Sequence, residues 1–514
     1  MLFKKTKKET PLSQDQNAQS SAFGRGITSI ASAKDELFYE PNSFNPLDYI
    51  LSDKYFLGLE HQTQQPLYND ESIHTQIVAP TRSGKGIFIA VKVIEALRKN
   101  KGVIIIDPKE DDFLVQVINE ELQRQNRTQD LQIANWSNDF GYTVFCELDT
   151  VEEATKKMTV MLNLIENDAE LGASYYKKSE RILLAKVMYL FFNSKNILDI
   201  EFDLTLQNLS IFLKYIICDL ISNYEFQKEL EKSKPNFDKL ASLSKRYFNP
   251  DLFATIEINY SNLSILESLQ FSISEFENVS IYNKYHILDS LTKEKVLYIK
   301  SDMLDETALK FLKLVITDII QYSKKYKKGT NCLAILDELS FYPTQILSAG
   351  LSTVAGFGVN FILAYQSEAQ MKDENLKVSI KDNCQTKIYY KSSDDKTLKY
   401  IELLSGLELV TQKSKKGNET TIRQLQEAHM NITRLRALPR AKVAVLIEEN
   451  LNEIKIFQTS PIPVKQKFNW DDINSKEVFI KKLFLLKAFK VELKQEISFD
   501  EQNQDEKVSN EVLN

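Results

Sequence analysis

Residues 76–88, Gln-Ile-Val-Ala-Pro-Thr-Arg-Ser-Gly-Lys-Gly-Ile-Phe, constrain this chain more than any other stretch. Two apolar residues, Ile77 and Val78, lead into a turn-rich loop. The loop carries Gly84-Lys85-Gly86 and opens onto Ile87-Phe88-Ile89-Ala90-Val91, which reads as a helix start. Strand, loop, lysine and helix in that order make a holder for a nucleoside triphosphate. Backbone N–H groups of the loop and of the helix N-terminus face the phosphates, and the lysine adds a point charge. The general pattern is G-x-x-x-x-G-K-[ST]. This loop departs from it at both ends, with Ala79 first and Gly86 last. Without the usual hydroxyl, Mg2+ would rest on the triphosphate, water and a distal acid. The competing reading is an ordinary Gly-Lys turn before a helix.

A second segment favours the phosphate reading. Residues 332–338 are Cys-Leu-Ala-Ile-Leu-Asp-Glu. Five apolar residues in a row suggest a strand buried on both faces of a parallel sheet. Asp337 and Glu338 then fall at its C-terminal end, where open α/β sheets bind ligands. This is a Walker B pattern, with Asp337 for the metal and Glu338 for the attacking water. Two further apolar strands end in polar residues: 102–106 runs into Asp107-Pro108-Lys109, and 359–365 into Gln366-Ser367. A glutamine beside Walker B can sense a γ-phosphate by hydrogen bonding, the positioning that phosphoryl transfer requires.

Together, Ala-Pro-Thr-Arg-Ser-Gly-Lys-Gly at 79–86, Asp107-x-Lys109, Leu-Asp-Glu at 336–338 and Gln366-Ser367 resemble the TraG/TraD-like coupling ATPases of type IV secretion and conjugation. His74, the 383–390 segment with the helix ending Leu404-Ser405-Gly406, and Arg434-x-Arg436-Ala-Leu-Pro-Arg440 are similar too. The likeness runs from about residue 55 to 450. In that family glycine after the P-loop lysine is usual, so Gly86 fits. The chain departs in two places. Family members usually begin with two transmembrane helices, and no stretch here approaches the ~20 apolar residues a spanning helix needs. The Asp107-x-Lys109 strand end continues as Glu110-Asp111 instead of glycine.

The resemblance implies an α/β fold: a RecA-like P-loop NTPase domain with an inserted all-α domain. Compact α/β domains place a P-loop and its Walker B within ~100 residues, given βαβ units of ~30. Lys85 and Asp337 are much farther apart, and the stretch from about 150 to 280 is helical in pattern. The expected organisation is a polar tail at 1–40, NTPase parts at 41–150 and 286–460, the helical insert at 151–285, and a C-terminal amphipathic helix at 471–490 with an acidic tail within 461–514. ATP and Mg2+ are the implied cofactors. Thr81, Arg82, Ser83, Gly84, Lys85, Gly86 and Ile87 would surround the phosphates, and Asp337 would hold the metal. Lys85, Glu338 and Gln366 would be catalytic. The implied partners are DNA, taken as single-stranded, with a relaxase or accessory protein, type IV secretion channel components, and other copies in a hexamer. Arg434, Arg436 and Arg440 are candidates for an arginine acting in trans. A soluble FtsK/HerA-type translocase or helicase and a catalytically silent nucleotide-binding scaffold remain open.

Composition sets further bounds. Of 514 residues, 43% are hydrophobic and 26% charged, enough material for two or three cores. The expected place is the cytoplasm or the inner face of the cell membrane, since no signal peptide follows Met1-Leu-Phe-Lys-Lys. Cys146, Cys218, Cys332 and Cys384 show neither metal spacing nor a disulfide framework. The net charge of −6 rules out a bulk basic footprint, so nucleic acid would need a concentrated patch. The lysine-rich runs at 4–8, 324–328 and 413–416 read first as solvated loops or tail.

Overall fold

A computed structural model describes residues 43–70, 73–109, 112–136, 141–164, 171–198, 203–231, 257–277, 284–416, 419–439, 443–448, 454–465 and 468–470. The expected tail at 1–40, the C-terminal helix at 471–490 with its acidic tail, the lysines at 4–8 and Arg440 lie outside these residues. In chain order the elements begin with β1 (Tyr55–Glu60), β2 (Pro66–Asn69), β3 (Thr75–Val78), α1 (Lys85–Arg98), β4 (Gly102–Asp107), α2 (Asp112–Arg124) and β5 (Leu131–Asn135). Helices α3 (Val151–Met161), α4 (Leu171–Phe192), α5 (Ser194–Leu198), α6 (Leu206–Glu231), α7 (Leu263–Ser274) and α8 (Ile287–Thr292) follow. Then come β6 (Val296–Lys300), α9 (Glu306–Lys325), β7 (Cys332–Leu336), α10 (Gln345–Val354), β8 (Val359–Tyr365), α11 (Glu374–Asn383) and β9 (Thr386–Tyr390). The last are α12 (Asp395–Leu404), β10 (Leu407–Lys416), β11 (Glu419–Ala428), α13 (Ile432–Ala437), β12 (Val443–Glu448) and β13 (Lys455–Gln458).

Eleven strands form one sheet in the order β2-β1-β13-β12-β9-β3-β8-β7-β4-β6-β5. The seven from β9 to β5 are parallel, and an antiparallel edge of β12, β13, β1 and β2 extends them. Strand periodicity sorts the side chains between two layers. Val103 and Ile105 of β4 pack with α1 and α2, whereas Ile104 and Ile106 pack with α9 and the other helices of the opposite face. All four are fully buried, which explains the unbroken apolar run seen in the sequence. Burying each isoleucine contributes about 1.5–3 kcal/mol. Gly102 opens this strand because a Cβ there would sit 1.6 Å from the Ser290 carbonyl oxygen.

The described residues between α3 and α8 are helical apart from turns, and they separate β5 from β6. Their apolar sides join the cluster under one face of the sheet: Leu184, Val187, Phe212 and Ile216 belong with Leu297, Phe311 and Val315. A buried polar knot pins α3 to α9. Lys157 Nζ lies 2.9 Å from Asp149 Oδ1 and 2.8 Å from Asp318 Oδ1. The hydroxyl of Tyr142 donates to Asp318 Oδ2 at 2.7 Å, and that of Tyr322 to Asp149 Oδ1 at 2.7 Å. Burial pushes the Asp318 carboxyl up to about 6 despite Lys157.

Three local readings change. Helix α1 begins at Lys85 itself, two residues before the Ile87 start that the apolar run suggested, because Gly84 turns the backbone one step earlier. The 413–416 lysine run lies in β10, half of a two-stranded antiparallel hairpin, instead of a loop. In the 324–328 run, Lys324 and Lys325 form the last turn of α9, where cations complement the helix dipole.

His286 caps α8: its Nδ1 accepts from the Leu288 N–H at 3.0 Å, and its ring meets Tyr322 edge-on. Burial, with Lys157 close by, lowers its pKa to about 4. The unfolded chain then takes up this proton near pH 6.5 while the folded chain does not. Stability is therefore lost as pH falls from about 6.5 to about 4. His286→Asn keeps a capping acceptor and removes the titration. Urea midpoints measured from pH 7 to 4 should fall less steeply for this variant than for the wild type.

Candidate active site

The phosphate-binding candidate loop is built at the C-terminal edge of the parallel strands. Register brings its parts to one level: Val78 pairs with Tyr365 and Leu336 with both Leu363 and Ile106. The chain ends of β3, β8, β7 and β4 therefore meet side by side, although they come from opposite ends of the sequence. The Ala79 N–H extends the ladder by donating to the Tyr365 carbonyl at 2.9 Å. Two residues of the loop hold left-handed backbone, Arg82 at φ 59° and Gly84 at φ 97°. Gly84 is the N-cap of α1 and gives it no side-chain cap. The Ile87 and Phe88 N–H groups donate to the Gly84 carbonyl at 3.1 and 3.4 Å, and Lys85 and Gly86 contribute the first amides of α1, for which a helix offers no carbonyl partner. Tyr390 Oη donates to the Gly84 carbonyl at 3.3 Å and braces the turn from β9.

Lys85 lies on the two acids of the Walker B candidate. Its Nζ pairs with Asp337 Oδ1 and lies 2.5 Å from Glu338 Oε1. Glu338 is fully buried and sits at φ 52°, an uncommon conformation that costs a non-glycine residue about 1–2 kcal/mol. That twist turns its carboxylate back over the sheet edge. Gln366 Nε2 donates to Glu338 Oε2 at 3.0 Å. The Glu338 N–H donates to Asp337 Oδ1 at 2.8 Å, and the Tyr342 hydroxyl donates to the Asp337 carbonyl.

Electrostatics follow from this crowding. Burial disfavours the Lys85 ammonium, yet Asp337 and Glu338 together outweigh it and raise its pKa. Burial raises the Asp337 pKa, with Lys85 opposing and Glu338 and Asp107 adding to it. Glu338 is also penalised by burial, but Lys85 and Lys109 more than compensate, and its pKa is lowered. The two acids therefore shift in opposite directions, Asp337 upward and Glu338 downward.

Lys85, Asp337, Glu338 and Gln366 come together as the sequence suggested. Ser83 is buried, Gly84, Gly86 and Ile87 are half-buried, and Thr81 and Arg82 are exposed around the loop. Lys109 is the residue that the sequence reading left out of the site. It reaches Glu338 Oε1 from the tip of β4, and the Asp-x-Lys strand end was its signal. His74, at φ 52°, is a satisfied core histidine: the Phe361 N–H donates to Nδ1 at 3.0 Å, and Nε2 faces the Leu351 carbonyl at 2.9 Å. Arg434 reaches the Glu408 carboxylate at 2.5 Å, and Arg436 pairs with Asp395 at 3.0 Å on an exposed surface.

The residues present fit a phosphate ligand carrying a divalent cation. Ser83 Oγ is buried with no hydrogen-bond partner and lies in the loop. Among the described residues no group of three or more His, Cys, Asp or Glu could hold a metal ion by itself. A Mg2+ ion here would draw most of its oxygens from phosphate and water, as Mg2+ commonly does.

Residues 331–446 match the family model for the TraM recognition site of TraD and TraG. Over that segment the chain is similar to TraD and TraG. Its fold is also that of a solved bacterial conjugative coupling protein, TrwBdeltaN70, in its unbound form. That match has a TM-score of 0.52 and 15% sequence identity, and covers 82% of this chain and 92% of the other. The TrwB complex with ADP and Mg2+ matches with a TM-score of 0.51 and 14% identity, over 77% of this chain and 87% of that one. At such identity the likeness establishes the fold alone: a large, mostly parallel α/β sheet with a helical portion. No curated protein matches the chain. Among the described residues no helix is long and apolar enough to cross a membrane.

Gly84→Ala forces a Cβ into left-handed backbone, which costs about 1–2 kcal/mol. The urea midpoint of this variant should drop accordingly, and its affinity for ATP should fall because the loop amides no longer converge.

Proposed function

We propose that this TraG/TraD-like chain is an ATPase that couples hydrolysis to the transfer of DNA or a nucleoprotein into a type IV secretion or conjugation channel. The observation that carries the reading is the convergence of Lys85, Asp337, Glu338 and Gln366 on the loop mouth. What supports it further is the likeness to TrwB, which has been solved with ADP and Mg2+, and the family match at 331–446.

In this reading Lys85 leaves its carboxylates for the β- and γ-phosphates, and the amides of Ser83, Gly84 and Gly86 surround them. Bound Mg2+ would neutralise charge on the transferring phosphoryl group, and Asp337 is the residue that would hold it. Glu338, ionised and released by Lys85, orients the attacking water by accepting its proton-bearing hydrogen bond. Gln366, bonded to Glu338, moves with it and reports phosphate occupancy to α11. A ring of six copies completes each site with an arginine from a neighbour, a contribution of ~10³–10⁵ in rate where it operates. Arg436, more exposed than Arg434, is the better-placed candidate of the two that the structure describes. The domain limits at 150/151 and 285/286 are part of the same reading. The accessory partner would be a TraM-like protein or a relaxase.

The test is ATP turnover with and without single-stranded DNA. Wild-type turnover should rise with DNA, and Lys85→Ala and Glu338→Gln should each abolish it. Glu338→Gln should still bind ATP, whereas Lys85→Ala should not. Turnover that survives Glu338→Gln would refute the site.

A further inference from the structure

Three side chains hold Glu338, and the proposed function gives one of them, Lys109, no role. Gln366 takes Oε2, while Lys85 and Lys109 share Oε1. Lys85 belongs to the phosphate loop. Lys109 stands at the tip of β4, on the far side of β7 from that loop. Its own N–H donates to Asp107 Oδ1 at 2.8 Å, which fixes the turn that aims its side chain. Asp107 is buried, and its other oxygen accepts from the Tyr298 hydroxyl on β6.

Tyr298 in turn leads to the C-terminal part of the chain. Its fully buried ring lies 6.4 Å from the ring of Trp470. Trp470 is pinned on its other sides. Nε1 donates to Asp112 Oδ1 at 2.6 Å at the start of α2. The Lys300 ammonium sits 4.2 Å from the ring centroid, and Phe468 meets the ring edge-on at 5.0 Å. The segment 468–470 therefore straps the ends of β6 and α2, and contacts run unbroken from Trp470 to Glu338.

We infer that Lys109 is a positioning residue for Glu338, and that the 468–470 strap sets it through Trp470, Tyr298 and Asp107. The inference rests on the proposal that Glu338 orients the attacking water. Once Lys85 turns to phosphate, Lys109 and Gln366 are the two groups left on the carboxylate. Their grip decides where its oxygens stand. A misplacement near 1 Å in such a group can cost ~10²-fold in rate. The strap thus gives the segment that follows residue 470 a physical route to the rate of hydrolysis. Adjacency along such a route becomes coupling only when energies show it.

The experiment measures kcat and KM for Mg·ATP with the full chain. It compares Lys109→Met, Lys109→Arg, Tyr298→Phe, the Lys109→Met/Tyr298→Phe double variant and Glu338→Gln. Tyr298→Phe keeps the packed ring and removes only the hydroxyl on Asp107. Lys109→Met should lower kcat by about 10–100-fold with KM within about twofold, and Lys109→Arg should recover part of it. Tyr298→Phe should lower kcat by about 3–10-fold, and the double variant should be no slower than Lys109→Met alone. ATP should also change the tryptophan emission of the wild type, a change absent from Trp470→Phe and diminished in Tyr298→Phe.

Wild-type kcat in both Lys109→Met and Tyr298→Phe would overturn the inference. So would single effects that multiply in the double variant. If those variants keep full activity while Glu338→Gln is dead, the proposed function stands and the strap route falls. If Glu338→Gln is also active, the proposed function fails first. Should Lys109→Met fail to fold, Tyr298→Phe decides the matter through kcat and emission.

Discussion

The Lys85 ammonium between the Asp337 and Glu338 carboxylates is the contact on which the site depends. It joins the ends of two strands that are remote in the chain, and it balances two acids that would otherwise repel each other in a buried place. Removing one partner from such a cluster leaves uncompensated charge, which costs far more than the cluster contributes. The same contact defines a resting state. In the proposed function, phosphate would draw Lys85 away from its carboxylates, and Asp337 would hold a divalent cation that replaces the lost charge. Ligand binding and release of Glu338 would then be one exchange of partners.

Sheet topology makes this exchange local. With β8 between β3 and β7, the glutamine at its tip faces the lysine loop on one side and the acids on the other. With β4 beyond β7, Lys109 approaches the same carboxylate from the opposite flank. Alternate side chains of each strand feed two separate apolar layers, so the edge rests on a sheet buried from both faces. The helical portion shares the layer under α9 and is tied to it by the Lys157, Asp149 and Asp318 knot.

The strands at 102–107, 332–336 and 359–365 were legible because burial on both faces leaves a nearly continuous apolar run, and polar residues at their ends mark one edge. The same logic singled out Lys85, Asp337, Glu338 and Gln366, whose side chains meet at that edge. Strands β1, β2 and β13 were not anticipated. β2 and β13 have only four residues each, and all three owe their place in the sheet to antiparallel pairing. The β10–β11 hairpin was missed because no buried apolar run marks it: Leu407, Leu409, Ile422 and Leu425 are exposed. Lys109 was seen as part of a motif but not placed in the site, since only the β4–β7 pairing brings it to Glu338. The onset of α1 at Lys85 turned on Gly84, whose left-handed backbone no periodicity reveals.

The most direct test of the partner exchange is calorimetric titration of ATP into the full chain with and without Mg2+. If Mg2+ beside Asp337 replaces the charge that Lys85 surrenders, affinity should rise by at least about tenfold when the metal is present, and Asp337→Asn should erase most of that gain. Equal affinity in the presence and absence of Mg2+, in a protein that still binds ATP, would contradict the account.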